Sequence, residues 1–373
     1  MHDTVNALIT AAGGRPDDLA EVVTELGVAA CAEAAVHEIA YRLDPPRLDG
    51  KTEVQLRLSH RGEVAEHVVT ITTAGATHVP GRTASPDATV HQDLGEVLRQ
   101  LFGPRGAATG ATRRVELREH GDISSFRRPP GWFGATRRLL AALDHRDQAT
   151  LSELASRYES DKWGIHYYTE HYPRYLEPLR DRPLTVLEIG IGGFADPHAG
   201  GASLRMWKHY FPRATVYGVD VHDKSPHAQQ RIRVLQADQS DPEALLRVVA
   251  TTGPLDLVVD DGSHQNDHVL TTFRTLFPHV RDGGLYAIED LQTSYWPRFK
   301  GTSEELSSPR TSLGFLKSLV DGLHHEEVLA GHRSPEATDA WIRGLHFHHN
   351  LAVVEKGVNL EGGGPDWVRY GPR

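Results

Sequence analysis

The chain has 373 residues, 39% of them hydrophobic and 24% charged, which leaves room for two domains with full cores. Its formal net charge of −10 comes without a basic patch, which argues against a nucleic-acid partner. No apolar run approaches the ~18–20 residues of a membrane span, and the N-terminus Met1-His2-Asp3-Thr4 lacks the basic and apolar regions of a signal peptide.

Residues 1–143 read as a separate α+β unit. Leu19, Val22, Val23, Leu26, Ala29 and Ala30 recur at helical spacing, which predicts helix over 17–39. Cys31, the single cysteine, lies in that stretch and reads as a small core residue. One cysteine excludes an intrachain disulfide and a cysteine-built zinc site, and it fits a reducing cytoplasm. Residues 52–58 alternate with Val54, Leu56 and Leu58 on one face, and 67–73 repeat the pattern with Val69 and Ile71. Both read as antiparallel strands with one wet face. Residues 75–88 are rich in Gly, Pro, Ser and Thr and read as loop, and 93–102 as a helix stopped by Gly103-Pro104. Nothing in this unit has catalytic spacing. It is read as an auxiliary domain for assembly or for shaping a substrate site, with packing alone as the other reading.

Connections are expected at 106–110 and 127–131, followed by linking helices at 137–143 and 151–158. Residues 160–172 then crowd Lys162, Trp163, His166, Tyr167, Tyr168, Thr169, His171 and Tyr172 into one stretch. Lysine, two histidines and threonine make a poor core, so this stretch reads as a lid or ligand wall.

From 184 to 290 four apolar runs each end in glycine or carboxylate. They are 185–190, 216–220, 255–261 and 285–290, with helix-length segments between them. That is the pattern of parallel strands joined by crossover helices. Ligands of such sheets sit outside the carboxyl ends of the strands. Glu188, Gly190, Gly192, Asp220, Asp260, Asp261, His264, Glu289 and Asp290 are therefore expected around one crevice. Helices are expected from about 203, at 243–250, at 268–277 and from 313. Residues 297–312 read as a mobile loop, 346–354 as a late strand, and the tail from 361 as irregular.

Gly190-Ile191-Gly192-Gly193 would let a ligand approach the backbone closely. A dinucleotide site would open a helix at once. Here the glycines run on into Phe194-Ala195-Asp196-Pro197 instead. The turn suits a nucleoside without a pyrophosphate. Asp220 is placed to accept both ribose hydroxyls. Asp238 is placed to reach an adenine amino group, or else to cap a helix. Asp261, Glu289 and Asp290 would resist joint ionisation without a cation. Mg²⁺, which takes oxygen ligands, resolves that and keeps positions open for substrate hydroxyls. His264, three residues beyond Asp261, is placed as general base. The histidines at 324, 325, 346, 348 and 349 read as surface or packing residues.

The runs 186–193, 201–208, 260–264 and 277–290, with Tyr295-Trp296-Pro297 and 311–314, resemble the metal- and S-adenosylmethionine-dependent macrolide and deoxysugar O-methyltransferases. The resemblance covers 151–367 strongly and the N-terminal part loosely. It implies a Rossmann-like class I methyltransferase domain over 144–373 behind the auxiliary domain, assembled as a homotetramer. It implies Mg²⁺ on Asp261, Glu289 and Asp290, and His264 as base. It places the methyl donor along Glu188, Gly190, Gly192, Asp220, Asp238 and Asp260. The acceptor it implies is a glycosylated natural product methylated on a deoxysugar hydroxyl, the 2-hydroxyl by resemblance only. A neighbouring subunit's auxiliary domain would help close the site. Tyr168-Thr169 stands where the family has a phenylalanine-threonine pair, and 299–310 also differ; both regions are expected to face the acceptor. The competing readings are a nicotinamide-dependent sugar-nucleotide oxidoreductase or epimerase, a non-catalytic tetrameric binding protein, and a partner in a β-lactam hydroxylating complex.

Overall fold

The computed structural model describes residues 2–43, 50–119, 130–144, 149–329 and 331–370, with side chains from residue 4. They form two compact units. The first comprises Met1–Leu154, Arg174–Pro183 and Lys208–Ala214, and the second Ala155–Pro173, Leu184–Trp207 and Thr215–Arg373. No helix among the described residues is long and apolar enough to cross a membrane.

The first unit opens with helices α1 (His2–Ala12), α2 (Pro16–Leu26) and α3 (Val28–Arg42). The single helix expected over 17–39 is two, because Gly27 takes φ 87° between them. Five strands follow: β1 (Thr52–His60), β2 (Glu63–Thr72), β3 (Gly75–Pro80), β4 (Ala88–Asp93) and β5 (Arg114–Leu117). Their spatial order is β3-β2-β1-β4-β5. β3 corrects the loop expected over 75–88. Its weak composition is that of an edge strand, which needs only one partner. Helix α4 (Leu94–Phe102) follows β4, its first turn capped by Asp93, whose carboxylate accepts from the Glu96 amide. Helix α5 (Gly131–Leu143) takes up the linking helix. Of the connection expected at 127–131, residues 127–129 lie outside the described residues.

Alternation in β1 and helical periodicity in α3 build the core of this unit. Val54, Leu56 and Leu58 are fully buried in one cluster with Ala32, Ala35, Val36 and Ile39 of α3 and Leu98 and Leu101 of α4. Each of the valine, leucine and isoleucine side chains contributes roughly 1.5–3 kcal/mol on burial. Cys31 belongs to the same cluster, and burial pushes its thiol up to about 11, as befits an inert core residue.

After α6 (Leu151–Tyr158) and the short α7 (Pro173–Leu176) comes the second sheet. Its strands and helices alternate as β6 (Leu184–Ile189), α8 (Ala202–Tyr210), β7 (Ala214–Asp220), β8 (Ile232–Gln236), α9 (Pro242–Thr252), β9 (Leu255–Asp260), α10 (Asn266–Leu276) and β10 (Val280–Ile288). Helix α11 (Ser312–Leu323), the hairpin β11 (Ile342–His348) and β12 (Leu351–Lys356), and helix α12 (Asp366–Tyr370) complete it. The order is β11-β12-β10-β9-β6-β7-β8. β6 and β10 run parallel to β9, whereas β12 is antiparallel to β10. This is the Rossmann-like sheet that the resemblance implied. The single late strand expected over 346–354 is a hairpin turning at His349-Asn350, where Asn350 takes φ 60°. The tail expected to be irregular carries α12.

From β6 the chain winds outward through β7 and β8, then crosses back to β9 and β10 on the other side. Between β6 and β9 the connections leave in opposite directions, which opens a crevice at their carboxyl ends.

Candidate active site

A cavity of about 940 Å³ occupies that crevice. Gly190, Ile191, Gly192, Gly193 and Phe194 form one wall, and Asp220, Ala237, Asp238 and Gln239 continue it. Asp261, Gly262, Ser263, His264 and Asp290 line the same cavity.

The glycine wall is required by sterics. Gly190 takes φ 93°, and a Cβ there would run into the carbonyl oxygen of Asp261. The close approach of the β6 and β9 strand ends therefore excludes any other residue at this position. Asp220 ties the turn down: Oδ2 accepts from the Ile191 amide at 3.0 Å and Oδ1 from the His222 amide at 2.9 Å. Each carboxylate oxygen keeps a second lone pair for a ligand hydroxyl. Asp238 Oδ1 accepts from the Ser240 amide and hydroxyl at 2.8 and 2.7 Å, and these bonds hold its carboxyl below the ordinary range. The cap of α9 is Asp241, not Asp238, so the helix-capping alternative for Asp238 falls away.

Asp261, His264 and Asp290 each offer one ligand atom, and the three atoms lie within 4.8 Å of one another. His264 Nε2 is 3.3 Å from Asp290 Oδ2. Both residues take left-handed backbone, φ 55° and 53°. Non-glycine residues pay on the order of 1–3 kcal/mol for such strain, which persists where surrounding structure enforces it, commonly at functional sites. The hydroxyl of Tyr168 donates to Asp290 Oδ1 at 2.8 Å, and its ring stacks on His166 with centroids 4.8 Å apart. Burial works to raise Asp290, but His264, Gln292 and Tyr168 outweigh it and hold the carboxyl below its ordinary value.

Behind this face lies a second charge cluster. Lys162 is 1% exposed, and its ammonium lies 2.7 Å from Asp261 Oδ2, 2.6 Å from Glu289 Oε2 and 3.3 Å from Glu188 Oε1. Burial disfavours the ammonium, yet the carboxylates of Asp261, Glu289 and Glu188 outweigh it and raise its pKa well above the usual lysine value. Glu289 also accepts from the Tyr172 hydroxyl at 2.5 Å. Glu188 is anchored by the Ser203 hydroxyl at 2.8 Å and the Trp207 indole at 3.2 Å.

Three expected contact residues thus sit one layer below the cavity. Glu188, Asp260 and Glu289 do not line it. Glu188 and Asp260 lie within β6 and β9 and are buried there, whereas Asp261, Glu289 and Asp290 follow the strand ends, where the left-handed Asp290 turns the chain. Of the pairs Asp260/Asp261 and Glu289/Asp290, the second member of each reaches the cavity and the first points inward. Asp260 accepts from the Gln239 amide at 3.2 Å, and burial pushes its carboxyl up to about 7. Gln239 carries that support to the wall, where its Oε1 accepts from the Ser263 amide at 2.6 Å. Sequence reasoning missed the cation in the acid cluster. Its one signal was a lysine in a stretch too polar for a core.

The donor set fits a hard divalent cation. The oxygens of Asp261 and Glu289 already converge on one positive group, Lys162 Nζ. With Glu188, three carboxylates face that single ammonium, and Asp290 stands beside Asp261 and His264 on the cavity, which leaves negative charge for a cation to neutralise. The glycine turn does not suit a pyrophosphate, because the next helix begins only at Ala202.

Two family models match the chain: "MycE methyltransferase N-terminal" over residues 5–113 and "Methyltransferase domain" over 131–291. Among curated relatives, the chain is 47% identical to the 8-demethyl-8-alpha-L-rhamnosyl tetracenomycin-C 2'-O-methyltransferase of Streptomyces olivaceus, over 97% of each chain. It is 41% identical to the mycinamicin VI 2''-O-methyltransferase of Micromonospora griseorubida, over 98% of this chain and 94% of that one. Among solved structures it matches the MycE methyltransferase from the mycinamycin biosynthetic pathway in complex with Mg, SAH and mycinamycin VI. That match has TM-score 0.91 and 40% identity, and it covers 100% of this chain and 97% of that one.

Proposed function

Because this chain belongs to the sugar O-methyltransferases of antibiotic pathways, we propose that it is an S-adenosylmethionine- and Mg²⁺-dependent enzyme that methylates a deoxysugar hydroxyl, the 2-hydroxyl, of a glycosylated natural product such as a macrolide. The observation that carries this reading is one cavity with two kinds of lining. Gly190, Gly192, Asp220 and Asp238 offer a nucleoside-binding wall, and Asp261, His264 and Asp290 offer a polar, acidic face in the same cavity. The 2-hydroxyl is favoured because two relatives are named as 2'- and 2''-O-methyltransferases.

Asp220 accepts the ribose hydroxyls, and Asp238 accepts from the adenine amino group. Glu188 and Asp260 act from beneath, through Ser203 and Gln239, to fix the walls. Asp261, Glu289 and Asp290 would hold the divalent cation. When bound, that ion supplies Lewis-acid polarisation of neighbouring sugar hydroxyls, and S-adenosylmethionine supplies the methyl group. His264 takes the hydroxyl proton at Nε2, and Asp290, 3.3 Å away, stabilises the imidazolium. Holding the oxygen in line with the methyl carbon supplies much of the acceleration. Tyr168 and His166 brace Asp290.

Residues 1–143 serve as the auxiliary domain and 144–373 carry the chemistry. The two family matches, at 5–113 and 131–291, support two parts, although the second match begins before residue 144. Four copies assemble in the cytoplasm, and neither nucleic acid nor membrane is a partner. The test is incubation with S-adenosylmethionine, Mg²⁺ and a panel of glycosylated macrolides and anthracyclines, read by mass spectrometry. Gain of one methyl on the sugar, abolished by chelator, is the expected result. Binding of NAD in place of S-adenosylmethionine would overturn the reading.

A further inference from the structure

A second cluster of metal-type ligands lies in the first unit, built from three elements. Helix α3 carries Glu33 and His37, four residues apart and hence on one helix face. Strand β2 supplies His67 and the edge strand β3 supplies His78. In the β2–β3 register His67 opposes Pro80 and Val69 opposes His78, so the two histidines are diagonal neighbours on one face.

The spacing is that of ligands around one ion. Glu33 Oε2 lies 3.5 Å from His67 Nδ1, and Glu33 Oε1 lies 3.8 Å from His78 Nδ1. The ligand atoms of all three residues fall within 4.8 Å of one another. His37 stands beside them, its ring edge-on to His78 at 5.8 Å. The Nδ1 atoms of His37, His67 and His78 are all buried without a hydrogen-bond partner among the described residues. Buried polar nitrogens are nearly always satisfied, and three unsatisfied in one place call for an occupant. The His67 side chain is only 4% exposed.

We infer that Glu33, His67 and His78, with His37 as the adjacent fourth donor, form a binding site for a divalent transition metal of the Zn²⁺ class. Two or three imidazoles and one carboxylate are a set that Zn²⁺ takes tetrahedrally, whereas Mg²⁺ prefers all-oxygen ligands. The ion would tie α3 to the β2–β3 hairpin and so pin the edge strand. The site is chemically distinct from the Asp261–His264–Asp290 cluster and does not depend on the function proposed above.

The experiment uses the full chain, stripped with chelator and titrated with Zn²⁺ against a competing chromophoric chelator. Wild type is compared with Glu33→Gln, His78→Asn and Asp261→Asn. The expected result is one Zn²⁺ held by wild type and by Asp261→Asn, with affinity reduced about 100-fold or more in Glu33→Gln and His78→Asn. Equal affinity in all four proteins, or loss only in Asp261→Asn, would overturn the inference. If the histidine variant does not fold, X-ray absorption of Zn²⁺-loaded Asp261→Asn decides. Imidazole scattering from at least two ligands supports the site, and an oxygen-only shell refutes it.

Discussion

Replacing Lys162 by methionine tests the charge cluster most sharply. The side chain stays unbranched, one heavy atom shorter, in a fully buried pocket, but the ammonium disappears. Asp261 Oδ2 and Glu289 Oε2 then lose a partner at 2.7 and 2.6 Å, and Glu188 one at 3.3 Å. Glu289 and Glu188 are shut off from solvent, so water cannot replace the lost cation. Removing one member of a buried ion pair typically costs about 3–5 kcal/mol, because the remaining charge stays buried. That is a large part of the ~5–15 kcal/mol stability of an ordinary protein. The melting temperature should fall by about 5–15 °C in chelator. Adding Mg²⁺ should recover part of the loss, and recover more in Lys162→Met than in wild type, since a divalent ion can neutralise the same oxygens. Thermal unfolding followed by circular dichroism, with and without Mg²⁺, reads both effects. An unchanged melting temperature would mean that the ammonium does not hold the acids together and that the charge argument is wrong.

His264→Ala should reduce turnover by roughly 10²–10⁴-fold while S-adenosylmethionine binding is largely kept; unchanged turnover would remove His264 from the mechanism. Asp220→Ala should weaken donor binding by about 10–100-fold, the loss of charge-assisted bonds, as measured by calorimetry. It should loosen the glycine turn as well, since the Ile191 amide loses its acceptor. Gly190→Ala should abolish donor binding and destabilise the chain by more than about 1 kcal/mol, because its Cβ has no space beside Asp261 and its φ is left-handed. Normal donor affinity in that variant would show that the two strand ends do not pack as described.

The core sheet was readable because its strands carry a signal that is both local and redundant. The runs behind β6, β7, β9 and β10 are apolar, the right length, and stopped by glycine or carboxylate. Elements whose definition depends on a partner were less legible. β3 is a strand because β2 pairs with it, and nothing in 75–80 announces that. The hairpin at 342–356 was read as one strand because its two-residue turn, His349-Asn350, lacks the usual glycine.

Within the site, position was legible and direction was not. Strand ends identified Asp260, Asp261, Glu289 and Asp290, but which of each pair faces the cavity is set by the backbone just past β9 and β10, where Asp290 turns left-handed. Lys162 is different in kind: it reaches Asp261 across 99 residues of sequence and Glu289 across 127. No spacing rule connects residues so far apart. The histidines of the first unit escaped for the same reason, since Glu33 with His37 and His67 with His78 gain meaning only when α3 lies on the hairpin.

The central claim is a two-part site, with donor on one wall and cation on the other. Calorimetric titration of S-adenosylmethionine and, separately, of Mg²⁺ into wild type and Asp261→Ala tests it directly. The account predicts that both proteins bind the donor and that only wild type binds Mg²⁺. Failure of the wild type to bind S-adenosylmethionine, or undiminished Mg²⁺ binding by Asp261→Ala, would contradict it.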